Sequence, residues 1–376
     1  MKVLFVTNLY IEKANGISNK ILSQVKGLRD SGANVELCHL LNENGCRYWA
    51  VDGKPIGRIG NSFDIVTSKL LNSYYSPILS YLKINDFDFV YWRYNLNASF
   101  ALNSFLARIN ESGVKIIMEI PTYPYDGELA LKPFFLRPLV WLERYYRNSF
   151  CKYVENIVTF SIDRTILNIP TINLSNAVDP ELIPLREKLP VHDYVRMTGV
   201  ANLNYWHGYD RILKGLSEYY KTAPSKDVFF DLVGGGPIAG ELKSMAMTLG
   251  VEKYVKFHGL LHGEELTKVL NETDLCIGSL ARHRTNIVEL KSLKNIEYAT
   301  RGIPFVYSEN NNDFDEQEYV IKVVPDDSPI DIRFLLEEFD RVEKEPKKIR
   351  DSVSHLSWKK QMAIVYKRMC EINDRK

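Results

Sequence analysis

Short apolar runs rich in β-branched residues recur along the chain, separated by stretches in which apolar residues return every three or four positions. In the first half the runs are Val3–Asn8, Val35–Leu40, Phe89–Trp92, Val114–Glu119, Ile157–Phe160 and Thr171–Leu174. They read as buried parallel strands. Between them lie amphipathic helices such as Ser18–Ser31, where Ile21, Leu22, Val25 and Leu28 mark one face. After residue 190 the alternation restarts with Tyr194–Val200, Val228–Val233, Val255–Phe257, Leu275–Gly278 and Phe305–Val306. Strand and helix alternating twice over predict an α/β chain of two Rossmann-like, doubly wound parallel-sheet domains. The first is expected over 1–180 and the second over 190–350. The boundary falls in Asn176–Pro190, where Pro180, Pro184 and Pro190 break any periodicity. Pro346–Lys376 reads as a charged helical tail, and its part from about 355 to 376 is expected to pack back on the first domain.

Composition narrows the function more than it names one. The chain has 376 residues, enough for two domains that each bury a core, and a formal net charge of +1. Phosphate-backbone binding leaves a clearly basic signature, so nucleic acid is not expected as a partner. Cys38, Cys46, Cys151, Cys276 and Cys370 form no CxxC pair and no Cys/His cluster. They read as reduced thiols, not as a disulfide framework or a zinc site. MKVLFVTN is already a strand rather than a secretory leader, and no window approaches the roughly 18 apolar residues of a membrane span. A cytoplasmic chain is the expectation.

Open parallel sheets bind ligands at the carboxyl ends of their strands. After the first strand, Asn15-Gly16-Ile17-Ser18 precedes a helix, and Gly16 lets backbone approach a ligand. The absence of GxGxxG disfavours a nicotinamide dinucleotide. Val233-Gly234-Gly235-Gly236-Pro237 gives a second glycine-rich strand end, readable as a phosphate contact or a tight turn. The most informative segment is Arg282–Ser308, in which Glu289 and Glu297 lie eight residues apart with Lys291 and Lys294 between them. A helix starting near Ser292 offers free N–H groups and two lysines to a diphosphate. Glu297 could then accept both hydroxyls of a ribose, at roughly 1.5–3 kcal/mol for each bond to a charged acceptor. Eight helical residues span about 12 Å, comparable with the reach from a nucleotide ribose to its sugar. A solvated helix face with paired charges fits the same letters.

Glu289-x7-Glu297 followed by Tyr298-Ala299-Thr300-Arg301-Gly302-Ile303-Pro304-Phe305-Val306 resembles the E-x7-E signature of family 4 glycosyltransferases and its "EA-x-x-x-G-x-P-V-V" continuation. Other landmarks follow in order. Asn15–Ser18 is similar to the family's Gly-Gly turn, and Ser175–Asp179 to its "NGVD". Val200–Asp210 looks like "GRL-x-x-x-KG-x-D", Val233–Pro237 like "VGDGP", and Phe257-His258-Gly259 like "F-x-G". The resemblance implies the GT-B fold, two Rossmann-like domains facing a central cleft, and a retaining, metal-independent hexosyl transfer from a nucleotide-diphosphate sugar. No cofactor is implied beyond that co-substrate. Glu297 would hold the ribose and Glu289 the transferred sugar. Backbone around Lys291, Ser292 and Leu293 would bind the distal phosphate, Gly16 would close on the donor, and His258 and Gly259 would meet the base. Polysaccharide or glycoconjugate biosynthesis is the implied setting.

Departures fall at the diphosphate and at the position of the family's catalytic histidine. Where the family has arginine and lysine, this chain has Asn202 and His207, and its "GDG" aspartate is Gly235. Lys294, and after it Arg284, are the candidates to take over the lost charge. No "HD" follows the fourth strand, where Glu119 stands first and Asp126 second as candidates for the histidine's place. Asp86-Phe87-Asp88 precedes a strand and reads as a turn, not a metal motif. Tyr91, Trp92, Tyr94, Tyr123 and Tyr125 offer rings for an acceptor sugar, with Tyr123, Tyr125 and Asp126 as the acceptor set. Arg137–Lys152 mixes Arg137, Arg144, Arg147 and Lys152 with Trp141, Tyr145 and Tyr146. It reads as a helix packed on the sheet, and its composition also suits docking at the anionic inner face of the plasma membrane beside a lipid-linked acceptor. A nucleotide-sugar epimerase and a non-catalytic nucleotide-sugar-binding or assembly protein remain as alternatives.

Overall fold

The computed structural model describes residues 1–12, 16–60, 73–130 and 133–374. Asn15 of the first turn lies outside them. The chain divides into two units, Met1–Ser175 with Trp358–Lys376, and Asn176–Ser357.

The first unit is built on β1 (Lys2–Tyr10), β2 (Asn34–Glu43), β3 (Cys46–Val51), β4 (Lys54–Gly60), β5 (Phe89–Arg93), β6 (Lys115–Ile120), β7 (Asn156–Thr159), β8 (Thr165–Ile166) and β9 (Ile169–Asn173). They form one sheet in the order β4-β3-β2-β1-β5-β6-β7-β9-β8. From β2 to β9 the neighbours run parallel. β3 and β4 extend the β2 edge as an antiparallel hairpin, turned by Asp52 and Gly53 with φ of 46° and 80°. Two successive positive-φ residues match the twist a two-residue hairpin needs.

Pleating sends alternate side chains to opposite faces. Leu4, Val6, Val90, Trp92, Ile116 and Met118 fall on one face and join the larger hydrophobic cluster with Trp49, Tyr75 and Phe105. Phe5 and Tyr91 stack on the other face, 4.5 Å apart. Helix Gly16–Asp30 packs against the last helix, Trp358–Asn373. Gly27 permits that approach, since a Cβ there would lie 2.6 Å from the Trp358 carbonyl oxygen.

The second unit comprises β10 (Val195–Val200), β11 (Val228–Val233), β12 (Val255–Gly259), β13 (Leu275–Ile277), β14 (Phe305–Tyr307) and β15 (Val320–Lys322). All pair in parallel, in the order β12-β11-β10-β13-β14-β15. This is the doubly wound order, with its reversal between β10 and β13. The charged tail read as one helix is two, Pro346–Ser352 and Trp358–Asn373, and they belong to different units. Among the described residues no helix is long and apolar enough to cross a membrane.

Candidate functional site

In the second unit the strand reversal brings together the loop after β10, the turn after β13 and the start of helix Leu293–Arg301. Ser292 occupies the N-cap position of that helix without a side-chain cap, so its first-turn N–H groups are open to an anion. Lys294 lies in the first turn. Its ammonium is buried, has no hydrogen-bond partner among the described residues and sits 5.7 Å from the centroid of the Tyr209 ring. Burial first, and then the positive charge of Arg282, lower its pKa to about 7 against the opposing pull of Glu309.

His207 is buried at the same reversal and accepts the Asn204 N–H through Nδ1 at 3.1 Å. Burial first, then the charges of Lys294 and Arg282, hold its pKa far below the usual histidine value. A neutral ring that accepts at Nδ1 carries its proton on Nε2, leaving that N–H as a donor. Glu309, just past β14, completes the cluster. It is 2% exposed, and neither carboxyl oxygen has a partner among the described residues. Burial raises its pKa to about 6 against the pull of Arg282 and Lys294.

The glycine loop after β11 passes directly over the loop after β10. Gly234, at φ 129°, would place a Cβ 1.8 Å from the Ala201 carbonyl oxygen, and Gly236, at φ 146°, 2.4 Å from Leu203 backbone. Those two glycines serve close backbone packing. Gly235 has only ordinary contact with Leu260, and Asn202 beside it is exposed. Gly259 turns the chain at φ 71° and accepts the Gly234 N–H at 2.7 Å.

Some expected donor-site side chains are engaged inside the protein. Arg284 forks onto Asp210 at 2.9 Å through both terminal nitrogens, and also meets Asp327 at 2.6 Å and the Tyr205 carbonyl at 2.7 Å. Its guanidinium therefore braces the loop after β10, and no charge is left over for a phosphate. His258 turns to Asp231, 3.1 Å away, itself paired with Arg196. Lys291 Nζ lies 3.6 Å from Asp313. Glu297 pairs with Arg301 one turn on, at 3.2 Å, and is a third exposed. Glu289 is exposed and lies outside the helix, its backbone bridged in parallel to Asn310. The 12 Å helical estimate for the Glu289–Glu297 separation therefore does not apply, because residues 289–292 precede the helix.

In the first unit Glu119 stands next to last in β6, fully buried. One oxygen accepts from Arg93, the other from Gln24 at 2.7 Å and Tyr91 at 2.6 Å. Burial opposes its ionisation, but Arg93, Lys20 and these hydrogen bonds prevail and hold its pKa below the usual carboxylate value. A carboxylate with both oxygens occupied inside the protein anchors its neighbours, so Glu119, the candidate for the catalytic histidine's place, has a structural role instead. Gly16 opens helix Gly16–Asp30 with nothing crowding it.

The aromatic residues expected to flank the acceptor are mostly core. Tyr91, Trp92, Tyr94 and Tyr125 are buried, and Tyr94 and Tyr125 both donate to Glu143. Tyr123 is half-buried and packs edge-on against Tyr125. Asp126 is held by two bonds from Arg147, at 2.8 and 3.0 Å, which keep its carboxyl below the usual range. Helix Arg137–Tyr146 buries only Val140 and Glu143, while Leu139, Trp141, Leu142 and Tyr145 are exposed. It does not lay its apolar side on the sheet.

No protein-family model and no curated protein matches the sequence. Solved structures do match. Sucrose-phosphate synthase from Thermosynechococcus elongatus superposes with a TM-score of 0.68 at 11% identity, covering 100% of this chain and 99% of that one. The lipopolysaccharide outer core galactosyltransferase WaaB gives 0.64 at 13% identity, covering 100% of both chains. HepE from Anabaena, solved in complex with UDP-glucose, gives 0.63 at 14% identity, again covering 100% of both. The fold is GT-B.

Within this GT-B chain, sequence reasoning missed Arg282 and Glu309. Arg282 stands at the head of the segment singled out for Glu289 and Glu297. Glu309 follows β14, so the strand-end rule applied to that strand would have found it. Among the described residues no group of three or more His, Cys, Asp or Glu side chains converges as metal ligands.

Proposed function

We propose that this chain is a retaining glycosyltransferase that moves a hexose from a nucleoside-diphosphate sugar to a saccharide or lipid-linked saccharide. The observation that carries the reading is Lys294, a buried cation with no hydrogen-bond partner among the described residues, beside an uncapped helix start and a neutral histidine donor. Burial holds an ammonium without a hydrogen-bond acceptor only at a cost, and a diphosphate would remove that cost. The HepE complex with UDP-glucose supports the donor class.

In this reading the first-turn amides of helix Leu293–Arg301, Lys294, Arg282 and the Nε2–H of His207 bind the diphosphate as it leaves. Charge that develops on the leaving group is then met by groups already in place. Glu297 exchanges Arg301 for the ribose hydroxyls, and Glu289 meets the transferred sugar. The acceptor hydroxyl attacks from the face the diphosphate leaves, positioning supplies much of the rate, and no covalent intermediate on the enzyme is required. Cations and amides carry the phosphate charge, so the reading needs no metal ion.

Melting temperatures with UDP, GDP, ADP, CMP and their common sugars test it. A ligand at 100 times its dissociation constant stabilises by about 2.7 kcal/mol. One nucleotide class is expected to give that shift, and Glu297→Ala to remove most of it. A shift with none of them would overturn the donor site.

The same reading includes an acceptor presented at an anionic membrane. Helix Arg137–Tyr146 exposes Leu139, Trp141, Leu142 and Tyr145 beside Arg137 and Arg144. That pattern suits interfacial binding. The protein is expected to float with vesicles containing phosphatidylglycerol and not with pure phosphatidylcholine. Trp141→Ala with Leu142→Ala should lower the bound fraction about tenfold or more without changing the melting temperature. Equal flotation of the double variant would exclude this helix.

A further inference from the structure

In the first unit the carboxyl ends of β1, β5 and β6 border an open cavity of about 220 Å³. It lies where the strand order reverses, since β1 has β2 on one side and β5 on the other. Register sets Thr7 beside Arg93 and Arg93 beside Glu119, and partners in parallel strands project to the same face.

Arg93 lines the cavity while remaining 93% buried. One of its nitrogens is tied to Glu119, which fixes the fork from behind, and a guanidinium has further N–H groups to offer. Thr7 also lines the cavity, 1% exposed, and its hydroxyl has no hydrogen-bond partner among the described residues. A buried hydroxyl without a partner calls for a ligand group to complete it. Asn95 and Thr122 add polar edges, and Leu96 and Pro121 add apolar wall.

Charge selects the ligand. Glu119 is sealed and fully hydrogen-bonded, so the ion facing the cavity is the guanidinium. Lys20 adds positive potential below about pH 7, the value to which burial has drawn its pKa. Its ammonium lies 3.5 Å from the Phe160 ring centroid, and its charge acts on Glu119. At 220 Å³ the space is smaller than the roughly 300–1,000 Å³ of a site for a drug-sized ligand. One sugar residue or its substituent fits that scale.

We propose that Arg93 and Thr7 form a subsite for an anionic substituent, a carboxylate or a phosphate, on the acceptor sugar, so that acidic saccharides are selected over neutral ones. Assigning the anion to an acceptor rests on the transferase reading. The anion site itself does not.

Calorimetric titration of the full-length protein with glucuronic acid, glucose 6-phosphate, glucose and inorganic phosphate tests this. At least one acidic sugar should bind tenfold or more tighter than glucose. Preference between the two identifies carboxylate or phosphate as the group. Thr7→Val, nearly isosteric, should weaken the acidic sugar about tenfold through loss of one hydrogen bond to a charged partner. Arg93→Gln should abolish binding, and Lys294→Met should leave it unchanged.

Glucose binding as tightly as the acidic sugars would overturn the proposal, as would no binding of either acidic sugar. Inorganic phosphate binding as tightly as glucose 6-phosphate would refute a sugar subsite. Because Arg93→Gln leaves Glu119 without its partner and can unfold the unit, Thr7→Val decides. Wild-type affinity in that folded variant refutes the site, and so does loss confined to Lys294→Met. Acidic-sugar binding with no nucleotide shift would leave the anion site standing and remove the transferase reading.

Discussion

Lys294→Met is expected to stabilise the ligand-free protein while costing roughly 100-fold or more in nucleoside-diphosphate affinity. In the free protein the ammonium is buried with no hydrogen-bond partner among the described residues, and its pKa is drawn from 10.5 to about 7. The unfolded chain holds that proton up to its ordinary value, whereas the folded chain releases it near 7. Between about pH 7 and 10.5 the unfolded state binds more protons, so native stability gained through this group rises with pH across that window. Below pH 7 the charged, unpartnered lysine destabilises the fold by an amount on the order of a few kcal/mol. Methionine has similar length and no charge, so it removes that cost.

With a diphosphate bound the sign reverses. The anion favours the charged lysine, so binding takes up a proton, and donor affinity should fall as pH rises from about 7 to 9. Chemical denaturation of the apo protein and nucleotide titration across that range read both effects. Lys294→Met should flatten both pH slopes. Unchanged nucleotide affinity in the variant would place the diphosphate elsewhere.

Glu119→Gln is expected to destabilise the protein by about 3–5 kcal/mol, the usual cost of leaving a buried charge without its partner. For a unit of this size that lowers the melting temperature by on the order of 10 °C. Arg93 loses its counter-ion, and the new amide presents N–H groups to a guanidinium that can only donate. Because Glu119 titrates below its usual value when folded, its contribution is present above the unfolded-state value of 4.5 and disappears as pH falls through the folded one. The variant should therefore differ most from wild type near neutrality and converge with it in acid. Arg93→Gln with Glu119→Gln should cost less than the two single changes added together, because the pair shares one interaction. A Glu119→Gln protein as stable as wild type would show the network to be dispensable.

Most parallel strands of both sheets were legible because they are short apolar runs, the pattern that burial on both faces favours. β10, β11 and β12 begin within a residue of where the runs begin. The hairpin of β3 and β4 was less legible. Its strands mix Arg47, Lys54 and Arg58 with glycines and a proline beyond β2, and the Asp52-Gly53 pair was its local signal. β15 is three residues long, too short for a period to register.

The sequence by itself determined the alternation of strands and helices, the glycine turns at strand ends and the segment from Arg282 to Ser308 that carries the site. These follow from local rules in which a residue's neighbours in the chain suffice. Tertiary structure decided which charges are available. Arg284 and Lys294 look equally free in the sequence, yet Arg284 is consumed by Asp210 and Asp327 while Lys294 is left with no hydrogen-bond partner among the described residues. Glu119 read as a candidate for chemistry until Tyr91, Arg93 and Gln24 closed on it from β5 and the helix Gly16–Asp30. Whether a charged side chain is a ligand-binding group or an internal brace depends on what distant segments bring within about 3 Å of it, and that distance is set by the packing of the whole unit.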